Sequence, residues 1–559
     1  MRADFLAGTP RNLALLLVLV TQAAASEVEW RPLELDRQWA FVGGEWQRDA
    51  QGVLTAPGNK AEQNLAFHTG SPYGDVEAEF EFRWDSVWTH AGFVFRASDP
   101  RHYYLVYFPS VGQQYRAEHF WGAIAKVDET GYIKVLSLEM IHGVTSSPTV
   151  WHKARVQARG SEIRAWVDGR SMRPVVDRTY SKPGYLGLAT ATIIGASEMS
   201  SFRNLRIRGR AAKAPAFDVS KLPPVNYRVA VEGTGAGSGN LVRLSDGHIT
   251  FVSGEQSVDR ETVLRRSSDG GRTWNADLRL PKDLSTGLLH VSKDGALSSY
   301  AFTHSPPFVL SKVVSKDSGR SWSQSQRVTE LQFPPDVSFG AFYENRLLET
   351  KQGTLLLFGY ARTKDEEHAN ISRGRWHPPS CKPPIGWNVC LRSTDGGQSW
   401  SNPINIDGPP YDDKRWMIHK EASEISVTQT ASGKLLALVR PFFSPVMWEG
   451  WSEDDGQSWT PLARGPFPMY ACNNSMITTS SGALIIGGRF PGMGVQVSHD
   501  SGMSWKCFQI DTAAWSNGAM IEVEPNVVLW VYGGRDKPRQ LRVQCIRVTS
   551  DGIEPADKG

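Results

Sequence analysis

Five aspartates stand in one repeated word. Asp269, Asp317, Asp395, Asp454 and Asp500 each take the third place of Ser-x-Asp-x-Gly-x-x-Trp, in copies that begin at Ser267, Ser315, Ser393, Ser452 and Ser498. Carboxylates are the usual acids and bases of hydrolytic chemistry, so their role has to be settled first. The repetition settles it. A single active site does not need the same residue at five distant places, whereas a repeated structural unit rebuilds the same turn each time. Ser and Asp side chains hydrogen-bond the backbone of a tight turn, Gly supplies a positive φ, and Trp packs against the neighbouring unit. These five carboxylates are structural.

Other chemistry-bearing residues are sparse. Arg440 and Arg489 each lie seven residues after a glycine turn, at Gly433 and Gly482, and so occupy equivalent places in successive repeats. A guanidinium fork at such a place matches a carboxylate with two parallel hydrogen bonds. His290 and His419 are isolated and read as structural. The five cysteines, Cys381, Cys390, Cys472, Cys507 and Cys545, contain no Cys-x-x-Cys pair, so no thiolate zinc site is expected. In an oxidising compartment Cys381–Cys390 could close a small loop and Cys507–Cys545 could tie neighbouring strands. No motif requires a metal or an organic cofactor.

The elements that carry these residues follow from a second repeat, out of phase with the first. Gly247, Gly295, Gly353, Gly433 and Gly482 each mark a turn before an apolar strand, and EVEPNVVLWVY supplies a degenerate sixth copy turning at Asn526. Each unit is strand, glycine turn, strand, strand, Asp-containing turn, strand. Six such units predict a six-bladed β-propeller over 226–559, closed by a strand borrowed from near Tyr227 to Val231.

Residues 27–210 read differently. EAEFEFRW, GFVFRA and YYLVYF alternate apolar and polar positions as half-buried strands do, and WHKARVQARGSEIRAWVDGR is a hairpin turning at Arg159-Gly160. The expected fold is an antiparallel β-sandwich, making the whole chain all-β. Trp84, Trp88, Tyr103, Tyr104 and Trp121 could stack on sugar rings, but sandwich core is the plainer account. Glu77, Glu79 and Glu81 alternate onto one face, which an exposed polar surface explains. The proline-marked stretch 211–225 is the linker.

At the start, Arg2 and Arg11 precede LALLLVLV and then TQAAAS, the order of a secretory signal over residues 1–26. The apolar run is too short to span a bilayer, so a secreted or periplasmic protein with no membrane insertion after cleavage is expected. The 61 Lys and Arg nearly balance 58 Asp and Glu, which argues against a nucleic-acid partner.

Five Asp boxes in a six-bladed propeller resemble the sialidase (neuraminidase) superfamily, over about residues 226–559. The sandwich resembles the concanavalin-like (LamG-type) jelly-roll domains found beside secreted carbohydrate enzymes. The first resemblance implies a site at the channel mouth opposite the boxes. There, three arginines hold a substrate carboxylate, a glutamate assists a tyrosine nucleophile, and an aspartate is the acid/base. EISVTQTASGKLLALVR, from Glu424 to Arg440, looks like the family stretch in which the base glutamate precedes an arginine by sixteen positions. The resemblance thus implies that Glu424 assists the nucleophile, that Arg440 and Arg489 grip the carboxylate, and that Asp259 is the acid/base. Tyr532 is the nearest tyrosine to the nucleophile's place, with Tyr360 at the equivalent position of the third blade, and Arg362 is a further substrate-binding candidate. The chain also departs from the family. Gly237 stands where the first arginine is expected, and Trp515 lies near the expected tyrosine.

The reading is a secreted, exo-acting glycoside hydrolase of the sialidase type, cleaving a terminal acidic sugar from a glycan, with a lectin-like sandwich holding the substrate. The alternative is a glycan-binding propeller without catalysis, and a polysaccharide lyase on the same propeller is a third. The stretch from Thr363 to Pro384, with its basic RGRWH, is a candidate substrate-selecting loop.

Overall fold

The computed structural model describes residues 28–34, 38–44, 46–56, 64–85, 89–110, 120–145, 147, 149–192, 200–232, 240–254, 262–281, 288–333, 337–341, 347–363, 386–406, 422–441, 446–468, 475–489, 492–512, 514–534 and 539–556. Among these residues regular structure is entirely strand.

The first module is a two-sheet sandwich. One sheet has nine strands, with Val76–Trp84 between His152–Arg159 and Ser200–Arg208. The other contributes seven strands of an 11-stranded sheet. Their inner faces share one aromatic core. Phe80 stacks on Phe93 at 5.6 Å and Phe82 on Phe108 at 5.0 Å. Trp84, Tyr103, Tyr104 and Trp121 are all buried, as the core reading expects, and Trp88 lies outside the described residues.

One expectation for this module is corrected. Glu77 and Glu79 are only 3% and 9% exposed, because long cationic side chains on both flanking strands fold over them. The linker is anchored on the sandwich at Pro215–Phe217. Phe217 lies 4.5 Å from Phe67 and 5.3 Å from Tyr185, and Tyr185 Oη donates to the Pro215 carbonyl at 3.1 Å.

The propeller follows, with five of its blades as separate sheets and the blade Ser475–Asp511 forming the last four strands of the 11-stranded sheet. That blade meets the sandwich directly. Its outer strand Lys506–Asp511 pairs antiparallel with Ile133–Ile141, in the register Ile133 opposite Gln509 and Val135 opposite Cys507. The last blade is closed by Arg228–Glu232 pairing with Gln540–Thr549, the borrowed strand that the repeat pattern predicts.

Both repeats keep their predicted geometry. Gly247, Gly295, Gly353, Gly433 and Gly482 have φ between 84° and 92°, and Asn526 takes the same turn at 61°. In the first box Ser267 Oγ donates to Asp269 Oδ1 at 2.7 Å and accepts the Gly271 amide at 2.8 Å, while Asp269 Oδ1 also accepts the Thr273 amide at 2.9 Å. The box glycine is required twice over. Its φ is positive, and a Cβ on Gly397 would come within 2.1 Å of Tyr300 Oη on the preceding blade.

The blades are numbered in chain order from blade 1 (240–281) to blade 6 (514–556), and every seam between neighbours has its own apolar cluster. Each seam is also crossed by polar contacts near the axis. Asn240 pairs with the Leu289 amide and carbonyl at 2.8 and 2.6 Å, and His290 Nε2 meets Glu349 Oε2 at 3.1 Å. Gln429 Oε1 accepts the Lys351 amide at 2.7 Å, and the Thr428 and Thr478 hydroxyls meet at 3.0 Å. Glu522 accepts the Ser480 amide at 2.9 Å, and Arg243 Nη2 reaches the Val523 carbonyl at 2.9 Å. Six seams close the ring.

Candidate functional site

The strand order decides where side chains can meet. In blade 4 the inner strand Ala422–Gln429 runs to the glycine turn, and Leu435–Pro441 returns from it. Glu424 near the start of the first strand and Arg440 near the end of the second are therefore brought together at the far end from the boxes. Arg440 Nη1 donates to Glu424 Oε2 at 3.0 Å, and both side chains are 13% exposed. A largely buried, directly bonded pair of this kind is strong and geometrically fixed.

Other predicted residues divide into three groups. Arg489 ends the strand Leu484–Arg489, equivalent in blade 5 to the strand of Arg440, and Arg362 lies near the end of Leu355–Thr363 in blade 3. Their backbones are thus at the same end as the Glu424–Arg440 pair. Asp259, His419 and nearly all of the stretch from Thr363 to Pro384 lie outside the described residues. His290 is at the opposite, box-side end, clasped to Glu349.

Tyr532 requires a correction. Its side chain is fully buried, and its hydroxyl donates to Asp511 Oδ2 at 2.9 Å while accepting from Gln544 Nε2 at 2.8 Å. Burial, reinforced by the Asp511 charge, pushes its pKa well above the ordinary tyrosine value. A nucleophilic phenolate is disfavoured there, and the hydroxyl is held by two buried partners. The same cluster reveals what Tyr532 does instead. Arg542 Nη1 donates to both Asp511 oxygens at 3.0 and 2.8 Å and stacks over Tyr227 at 3.9 Å. Tyr132 of the sandwich donates to Gln544 Oε1 at 3.1 Å. Tyr532 thus belongs to a polar chain from the sandwich through blade 6 to blade 5. Its apolar strand LWVYGG gave no sign of this, because the partners are distant in sequence.

The Cys507–Cys545 bridge is corrected too. The two residues lie on strands of different blades, and no disulfide joins them. Cys390 is buried without a disulfide, and Cys381 is outside the described residues.

The five box aspartates are held ionised. Asp317 is brought down to about 2 by hydrogen bonds from the Ser321 hydroxyl and amide and from Ser315. For Asp269 burial acts upward, but bonds from Thr273 and Ser267 outweigh it and the result is again about 2. Such groups do not release and regain protons near neutrality, which fits their structural assignment.

A cavity lies elsewhere in the channel. All six inner strands line a space of about 780 Å³ that reaches the Gly482 turn, with Glu349, Lys351, Gln429 and Glu522 around it. These polar groups are engaged in the seams described above. This cavity lies on the box side, whereas the charged pair suited to an acidic ligand is at the other end, and the chemistry is the better guide. Among the described residues no group of three or more His, Cys, Asp or Glu side chains could hold a metal ion.

Comparison with known proteins agrees with this architecture. Residues 300–527 match the BNR repeat-like domain, and residues 30–208 match the 3-keto-alpha-glucoside-1,2-lyase-like domain. The chain is a concanavalin-like sandwich joined to a BNR-repeat propeller. The Hadza microbial sialidase Hz136 is 14% identical, with 92% of this chain and 97% of that one covered at a TM-score of 0.44. The NanB sialidase from Streptococcus pneumoniae is 11% identical, with 85% and 95% covered at 0.42. A protein of unknown function from Dyadobacter fermentans is 16% identical, with 59% and 98% covered at 0.43. Likeness at this distance transfers no residue role. A search of curated proteins returns no match.

Proposed function

We propose that this protein is an exo-acting glycoside hydrolase that works at the propeller mouth opposite the Asp boxes on a terminal, acidic sugar. One observation carries the proposal: the Glu424–Arg440 pair, bonded at 3.0 Å and largely buried at that end of blade 4. Binding alone needs the arginine, whose fork suits a sugar carboxylate. A carboxylate fixed beside it adds a group able to accept a proton from a nucleophile. Arg489 and Arg362 are proposed as further carboxylate contacts, and Asp259 as the acid that protonates the leaving oxygen. With Tyr532 withdrawn, water is the proposed nucleophile, attacking the anomeric carbon as the glycosidic bond breaks. Export from the cytoplasm, to the periplasm or beyond, is part of the same proposal.

The burial of Tyr532 favours a second reading, a glycan-binding propeller that does not turn over its ligand. A panel of sialosides, uronides and neutral glycosides separates the two. Reducing ends released from one class by the parent and lost in Glu424→Gln support the hydrolase. Binding to one class without release, unchanged in Glu424→Gln, supports the lectin.

A further inference from the structure

The outer face of the nine-stranded sheet carries an arrangement that the channel chemistry does not use. Glu77, Glu79 and Glu81 form a row along its middle strand. Arg208 Nη2 reaches Glu77 at 2.8 Å from one flanking strand, and Arg155 bonds the same carboxylate from the other. Glu79 is held between Arg206 and Lys153, the latter at 3.2 Å, and Glu81 accepts from Arg203 Nε at 2.7 Å. Arg159 lies 4.0 Å from Glu77. Six cations thus face three carboxylates, an excess of three.

Burial sharpens the asymmetry. The Glu77 side chain is 3% exposed, while Arg159, Lys153 and Arg206 are 66%, 58% and 47% exposed. Burial by itself would raise the Glu77 pKa, but the Arg208 and Gln157 bonds and the Arg155 charge bring it below the usual value. Glu77 and Glu79 stay ionised beneath, and solvent meets the cations. Those cations are already oriented. Arg203 lies 4.0 Å over Trp151, and Arg206 and Arg208 each lie 5.0 Å from the Trp30 ring. Guanidinium groups fixed by a carboxylate and an indole lose little freedom when they bind a ligand.

We infer that this face binds an extended anionic polysaccharide, with carboxylate or sulfate groups along its chain meeting the two rows of cations that flank the glutamate strand, about 9.6 Å apart at twice the strand spacing of the sheet. Two further features select that partner: guanidinium groups already lie over Trp151 and Trp30 and compete there with a neutral sugar, and an excess of three is small for duplex nucleic acid. The site is separate from the channel, and its occupancy is read without turnover. Failure here leaves the Glu424 chemistry untouched.

The test is affinity electrophoresis of the full chain in native gels containing polygalacturonate, dextran sulfate or neutral dextran, at several salt concentrations. Retardation is expected in one or both anionic gels and not in neutral dextran, and the gel that retards identifies the anion. Lys153→Gln with Arg159→Gln leaves Glu77 and Glu79 each with an arginine, so the fold is kept. It should weaken binding about tenfold at ~50 mM salt and flatten the salt dependence. Arg159→Gln alone should act in the same direction and serves if the double variant melts early. Equal retardation of parent and variants, retardation by neutral dextran, or tighter binding to duplex DNA than to either polyanion overturns the inference.

Discussion

The sandwich and the propeller bury their apolar residues in opposite ways. In the sandwich one continuous aromatic cluster lies between two sheets, and ionic contacts are laid over an outer face. The propeller divides its core among six seams, and polar contacts cross each of them. A sandwich can therefore lose a charge from its face and keep its core. A propeller that loses one buried polar contact loosens a seam on which ring closure depends.

The hardest test of that contrast is the ion pair between blades 5 and 6. Arg542→Met leaves Asp511 without its charged partner in a buried site and should cost about 3–5 kcal/mol, read as a large fall in Tm. Removal of Lys153 from the sandwich face should cost less than about 1 kcal/mol. Similar losses for both would end the comparison.

A smaller effect separates turn from seam. Gly397→Ala adds a Cβ against Tyr300 at a φ of 81° and should cost about 3 kcal/mol. Gly433→Ala, at 92° with nothing within 4 Å, pays only the backbone strain of about 1–2 kcal/mol. Urea midpoints for the two variants check the difference.

Acid should act in two windows, the first through a sandwich histidine and the second through carboxylates of both modules. Burial lowers His90 of the sandwich to about 3. As pH falls below ~6.5 the unfolded chain binds a proton there that the folded chain refuses, so stability declines from that point toward pH 3. Asp269 and Asp317, held at about 2, add stability that is complete above ~3.9 and is lost as pH falls toward 2. Calorimetry from pH 7 to pH 2 should show a gradual fall in Tm, then a steeper one. His90→Leu should flatten only the first. Within the polar chain between blades 5 and 6, Tyr532→Phe removes one buried hydroxyl contact and should cost about 1–2 kcal/mol, less than Arg542→Met, while leaving any glycosidase activity unchanged.

The contrast also explains what the sequence could disclose. A turn needing positive φ writes glycine into the chain, so six blade turns were legible, Asn526 included. The box was legible because its bonds join residues within four positions of one another. Even the closing strand was placed correctly, since five complete repeats leave one place to fill. Contacts between distant residues leave no such mark. Alternation showed that Glu77 and Glu79 share a face, but not that side chains of two other strands would cover them. Nothing near Tyr532 announced Asp511 or Gln544. The Glu424–Arg440 spacing was legible for a local reason: sixteen residues are one strand, one turn and one returning strand, so the two ends must meet.

The pairing of Ile133–Ile141 with Lys506–Asp511 has a final consequence, for solubility. Each strand would otherwise present a row of unpaired amides and carbonyls, a template for intermolecular β-aggregation. Joined over Ile133–Val135 and Cys507–Gln509, each covers part of the other's edge. The two modules thus shield one another against self-association along that stretch, and a cut through the linker that released either one would uncover it on both.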